Sequence, residues 1–112
     1  MTTFGQRIRE LRQAKKWTLR ELAPKVGVGF TYLSKVENEK LDFGDYPSEA
    51  LVHRLAEALD ADEDELVILA NRVPVSIKRR IQQRPEAFRV LASVDDNVLD
   101  KLLRVVERQE AK

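Results

Sequence analysis

The sequence predicts an all-α fold. Apolar residues return every three or four positions along most of the chain, the period of a helix with one buried face, and no stretch keeps the alternation of a strand. Helix-start residues (Thr18, Ser48, Asp62, Asp95) stand just ahead of several of these stretches. Gly27, Gly44, Pro47 and Pro74 fall between them, where helices stop.

Helix 1 is expected from Phe4 to Lys15. Phe4, Ile8 and Leu11 form its inner face, and Arg7, Arg9, Arg12, Lys15 and Lys16 make much of the rest basic. Helix 2 runs from Leu19 to Val26. Thr18 and Glu21 form a T-x-x-E capping box that satisfies backbone donors at its start. Pro24 lies inside this helix and must remove a hydrogen bond or bend the last turn. Gly27 is a left-handed stop, and helix 3 follows from Phe30 to Glu37.

Asn38 to Pro47 reads as a loop. Helix 4 spans Glu49 to Leu59, capped by Ser48, with Leu51, Leu55, Ala58 and Leu59 inward. Asp62 and Glu65 start helix 5, Glu63 to Ala70, which turns Leu66 and Leu69 inward. Beyond Pro74, three more helices are expected: Ile77 to Arg84, Pro85 to Ala92 and Asp96 to Gln109. Pro85 suits a first helical turn, and Asp95 caps the last helix. Val98, Leu102, Val105 and Val106 give that helix an apolar edge, widened by Leu99 and Leu103.

At 112 residues, 43% hydrophobic and 35% charged, the chain can bury a core and stay soluble. Two parts are expected, a first domain over residues 1–72 and a helical extension over 73–112. There is no apolar run long enough to span a membrane, no apolar leader at the N-terminus and no cysteine. A cytoplasmic protein without disulfides or thiolate metal sites is expected. The net charge of +1 is unevenly spread: +3 over residues 1–47, −6 over 48–71 and +4 over 72–112. A basic face can therefore meet phosphate on a nearly neutral protein.

Residues 18–38, TLRELAPKVGVGFTYLSKVEN, put two short helices around the turn at Gly27, with Leu22, Ala23, Leu33 and Val36 where the helices must touch. That is the shape of a helix-turn-helix, whose second helix can lie in the major groove of DNA. The string extends on both sides: R-I-R-E-L-R in helix 1, T-L-R-E-L-A in helix 2, G-V-G-x-x-Y-L-S-K-V-E-N through helix 3 and P-S-E-A-L-x-x-L-A-x-A-L into helix 4. In order and spacing it resembles the Cro/phage-repressor family of helix-turn-helix regulators, the XRE family.

The resemblance implies a five-helix phage-repressor-like domain that binds a double-stranded DNA operator as a homodimer. The expected role is a transcriptional repressor acting near its own gene. It implies that Arg12 and Glu37 pair between helices 1 and 3 and orient the recognition helix. It also assigns base reading to the early residues of helix 3, here Phe30, Thr31, Ser34 and Lys35. Their side chains have the chemistry for this role. Lys35 can donate to guanine O6 or N7, Thr31 and Ser34 can bond several base edges, and Phe30 can lie against a thymine methyl. Tyr32 either reaches phosphate or sugar past the helix flank or packs in the core.

Arg20, Lys16, Lys25 and the backbone at Gly29 are the expected phosphate contacts, with Arg7 and Arg9 as further members of the set. Each such cation would steepen the salt dependence of binding. The sequence also departs from the family pattern. Leu19 stands where many members place Gln, so only backbone amides at that helix start can meet phosphate. Gly29 replaces the usual Ser or Thr cap, Glu39 stands where Gly is common, and the loop after helix 3 is longer than usual. That loop (Lys40, Asp42, Phe43, Asp45, Tyr46) is expected to be pinned by Phe43 and Tyr46 rather than to touch DNA, because its acids oppose phosphate.

For the extension, the stripe Val98, Leu99, Leu102 and Val106 is the candidate dimer interface. Folding back onto the first domain, or docking a partner protein as in antitoxins and protease-regulated relatives, stays open. Lys78, Arg79, Arg80 and Arg84 are expected to form a solvated helix face. His53 is the only histidine and has no neighbouring ligands in sequence, so no metal site is expected. The acids of 60–65 lack the spacing of a calcium loop and suit a helix start instead. No nucleophile–base set, P-loop or dinucleotide fingerprint appears, so neither an enzyme nor a cofactor is expected.

Overall fold

The structure, a computed structural model, describes residues 2–41 and 47–110. Asp42, Phe43, Gly44, Asp45 and Tyr46 lie outside the described residues, and with them the expected packing of Phe43 and Tyr46. The described residues form helices and no strand: α1 (Phe4–Ala14), α2 (Leu19–Lys25), α3 (Phe30–Glu37), α4 (Glu49–Leu59), α5 (Glu63–Leu69), α6 (Val75–Gln83), α7 (Pro85–Ser93) and α8 (Asp96–Glu110). The chain divides into two compact units, residues 1–74 and 75–112.

Side-chain caps set four of the five helix starts of the first unit. Thr18 and Glu21 make the capping box at α2. Thr3 and Gln6, a T-x-x-Q pattern, make another at α1. Ser48 accepts from the Leu51 amide at 3.1 Å, and Asp62 from the Glu65 amide at 3.2 Å. Each cap of this kind contributes about 1 kcal/mol.

The helix ends differ slightly from expectation, for local reasons. Helices α1, α2 and α5 stop one residue early because Lys15, Val26 and Ala70 are their C-caps. Helix α6 spans Val75–Gln83 rather than Ile77 to Arg84. Arg84 precedes Pro85, whose ring disfavours helical backbone at the residue before it, and Arg84 sits at φ −135°, ψ 60°.

Five residues of the first unit after helix ends have left-handed backbone: Lys16, Gly27, Glu39, Asp60 and Asn71. Glycine takes this conformation without strain, while a side chain costs about 1–2 kcal/mol. Gly27 has φ 71° and turns the chain between α2 and α3.

The core of the first unit is Phe4 and Ile8 of α1, Leu22 and Ala23 of α2, Val26, Leu33 and Val36 of α3, five residues of α4, Leu66 and Ala70. Helix α4 buries Val52 and Ala56 besides the expected Leu51, Leu55 and Leu59, while Ala58 and Leu69 pack at the edge. Each fully buried Leu or Ile contributes about 1.5–3 kcal/mol. Gly5 lets α1 approach the end of α3: a Cβ there would lie 2.5 Å from the carbonyl oxygens of Val36 and Glu37.

The second unit is different. No residue of α6, α7 or α8 is buried. The Val98 amide donates to Asp95 Oδ1 at 3.0 Å, closing the start of α8. Among the described residues no helix is long and apolar enough to cross a membrane.

Candidate nucleic-acid interface

Helix α3 divides cleanly by face. Leu33, Val36 and Glu37 are buried. At 3.6 residues per turn, Thr31 and Lys35 stand one turn apart on the opposite side, and both are exposed. Phe30 and Ser34 lie one turn apart on one flank, and Tyr32 lies on the other. Phe30 and Tyr32 are 39% and 37% exposed, which leaves neither as an ordinary core residue. Ser34 is half-buried, and its carbonyl accepts from Asn38 Nδ2 at 2.8 Å.

The inner face of α3 is fixed to α1 through charge. Arg12 Nε donates to Glu37 Oε2 at 2.7 Å, and Nη2 donates to Oε1 at 2.9 Å. Such two-pronged geometry is the strong form of the interaction. Arg12 Nη1 also donates to the Trp17 carbonyl at 2.9 Å. The Arg12 pKa is raised, chiefly by its hydrogen bonds to Glu37. Glu37 is 2% exposed, yet no buried polar side-chain atom among the described residues lacks a partner.

Two cations of the expected phosphate-contact set prove to be engaged within the protein. Arg7 Nε donates to Glu65 at 2.7 Å and Nη1 to Glu10 at 3.2 Å, and these bonds raise its pKa. Arg9 donates to Glu37 at 3.4 Å and to Asn38 Oδ1 at 2.5 Å. Both therefore brace α1. Their i,i+3 and long-range partners could not be told from solvated charges in the sequence.

Lys16, Arg20, Lys25 and Lys35 have no carboxylate partner among the described residues. Lys16 occupies the left-handed position after α1, at φ 61°. Lys25 lies over the Trp17 ring, 4.7 Å from its centroid. The Arg20 guanidinium lies over the Phe30 ring, 4.5 Å from its centroid. This contact joins a helix α2 cation to the first residue of α3, and separate motif positions in the sequence gave no sign of it. An exposed cation–π contact contributes roughly 0.5–1 kcal/mol.

Helix α3 also starts without a side-chain cap. Its N-cap is Gly29, and a Cβ there would meet nothing within 4 Å. The other four helices of the first unit each have a capping side chain. At the other end of the α2–α3 turn, Arg54 Nε donates to the Val26 carbonyl at 2.9 Å, tying α4 to the turn. Sequence reasoning missed this residue, the only cation between Ser48 and Asn71.

His53 lies between Glu57 and Glu63 and bonds both. Its pKa is raised, first by the Glu63 hydrogen bond and then by attraction to Glu57 and Glu63. Among the described residues no group of His, Asp and Glu is placed to hold a metal ion.

The helix-turn-helix domain family matches residues 3–67 of this chain. The chain is 32% identical over 88 residues to the uncharacterized HTH-type transcriptional regulator RghRB of Bacillus subtilis (strain 168), covering 79% of this chain and 60% of that protein. It thus spans less than two thirds of RghRB's length. It is 31% identical over 96 residues to the HTH-type transcriptional repressor RghR of the same organism, covering 79% of this chain and 69% of RghR. The crystal structure of SinR, the master regulator for biofilm formation, in complex with DNA matches at TM-score 0.50 and 34% identity. That match covers 58% of this chain and 98% of the other.

Proposed function

The chain belongs to the XRE-type helix-turn-helix family of transcriptional regulators, and from that premise we propose that it is a dimeric repressor of an operator near its own gene. Helix α3 lies in the major groove, where Thr31 and Lys35 face base edges, with Phe30 and Ser34 beside them. Lys16, Lys25 and Tyr32 grip phosphates, and the uncapped amides after Gly29 offer donors to another. Arg20 belongs to the same cationic rim. Binding occludes a promoter, with no enzymatic step, and takes place in the cytoplasm.

The observation that carries this reading is the division among the cations. Those on α1 that touch α3, Arg9 and Arg12, are committed to Glu37, whereas Lys16, Arg20, Lys25 and Lys35 are left without carboxylates among the described residues. Dimerisation is assigned to α8, where Val98, Leu102, Leu103, Val105 and Val106 are each 38–60% exposed and Leu99 is half-buried. A two-fold operator requires two copies of α3, and this apolar stripe is the surface that can join them. The same exposure favours one second reading, a partner protein docked on α6–α8.

The test is a footprint of the full chain on DNA upstream of its own gene. Two protected half-sites about 10 base pairs apart, or a multiple of that, are expected for a dimer. Uniform protection without half-sites, or none at moderate salt, would count against the operator reading. Sedimentation in the presence of that DNA separates a bound dimer from a bound monomer.

A further inference from the structure

We infer that Arg20 reads a guanine base, beside a thymine met by Phe30, and so sets part of the operator's sequence. The inference rests on the operator reading above and deepens it. Arg20 is exposed, has no carboxylate partner among the described residues, and lies over the ring of Phe30 at 4.5 Å. Phe30 opens α3, on the flank next to the Thr31–Lys35 ridge. A guanidinium held against a ring has lost much of its swing, yet its edge N–H groups stay open. Those donors form a planar fork that matches guanine O6 and N7, which a lysine ammonium does not.

Lys25 is held over a ring in the same way, but that ring, Trp17, lies outside the recognition helix. Lys16 and Lys25, also without carboxylate partners among the described residues, supply charge for phosphate. Arg20 is distinguished by being positioned through a residue that itself belongs to the recognition helix. Phe30 is 39% exposed besides carrying Arg20, so the pair is suited to adjacent bases, a thymine methyl meeting the ring and a guanine the guanidinium. The position of Leu19 adds to this. With no polar side chain at the first residue of α2, Arg20 is the first side chain of that helix able to reach DNA by hydrogen bonding.

The test is site selection from a randomised duplex pool with the full chain, followed by titration of the selected site and of the same site with the guanine replaced. Wild type is expected to enrich a guanine adjacent to a thymine and to lose roughly ten- to a hundredfold in affinity when that guanine is changed. Arg20→Ala should bind both duplexes alike. Phe30→Leu should keep the thymine preference and weaken that for guanine. Both side chains are exposed, and unchanged melting temperatures establish that the variants fold. The inference is overturned if Arg20→Ala weakens both duplexes by the same factor while its salt slope falls by about one, the signature of a phosphate contact. Absence of any selected site with wild type would instead remove the operator reading itself, and this inference with it.

Discussion

Removing the guanidinium of Arg12 tests what holds the recognition helix in place. Glu37 is 2% exposed, and Arg12 gives it hydrogen bonds of 2.7 and 2.9 Å. Arg12→Ala strands that carboxylate in the core. Breaking a buried pair from one side costs about 3–5 kcal/mol. The Trp17 carbonyl also loses its 2.9 Å donor, which adds about 1 kcal/mol. Arg9 opposes the loss, because its Nε lies 3.4 Å from the same Glu37 oxygen. Its side chain is well exposed, so solvent weakens that compensation. The expected net loss is about 3 kcal/mol.

That is a large share of the first unit's stability, which is on the order of 4–11 kcal/mol for a unit of this length. The assay is urea unfolding followed by the fluorescence of Trp17, the only tryptophan. A double variant, Arg12→Met with Glu37→Leu, supplies the control. It replaces the pair by apolar groups of similar volume and should regain most of the stability. A loss below about 1 kcal/mol in Arg12→Ala, or a double variant no more stable than the single one, would refute the reasoning.

Gly5→Ala places a methyl 2.5 Å from two carbonyl oxygens of α3, so the helices must part, at about 1–3 kcal/mol; an unchanged thermal midpoint would show that the approach is not tight. Glu39 holds a left-handed backbone while its carboxylate accepts from the Gly5 amide at 2.8 Å. Glu39→Ala keeps the strain and loses the acceptor, whereas Glu39→Gly relieves the strain, so the glycine variant should be the more stable of the two by about 1 kcal/mol; chemical denaturation of the pair decides, and equal stabilities would reject this account. The pKa of His53 is raised from its ordinary 6.5, so stability from its carboxylate bonds is complete below the unfolded value and lost as pH rises through the folded one. An NMR titration should give a midpoint above 6.5, and His53→Asn should flatten the stability profile across that window; a midpoint at or below 6.5 would contradict it.

The all-α class and the helix positions were legible because period and caps agree: Thr18 and Glu21 declare the start of α2 as plainly as Leu22 and Ala23 declare its inner face. The Arg12–Glu37 contact was suggested by resemblance alone, since nothing in its sequence separation of 25 distinguishes a pair from two surface charges. What stayed hidden depends on the third dimension. Arg7 and Arg9 look like Lys16 and Arg20 in sequence, and only the approach of Glu65 and Glu37 separates them. The stacking of Arg20 on Phe30 depends on the angle between α2 and α3, which no local pattern encodes.

The unit formed by α6, α7 and α8 has consequences for dosage. It is 38 residues long, has no cysteine and buries none of its helical residues. Units below about 40 residues rarely hold together without disulfides, metals or association. Where such a unit draws its order from another molecule, mass action governs it. If that molecule is a second copy, as proposed above, the second unit would melt higher as the solution is made more concentrated, while the first would melt at a temperature indifferent to concentration. Under the proposed dimer, a cell that produces more of the protein would complete more of its structure, and abundance would become a folding variable.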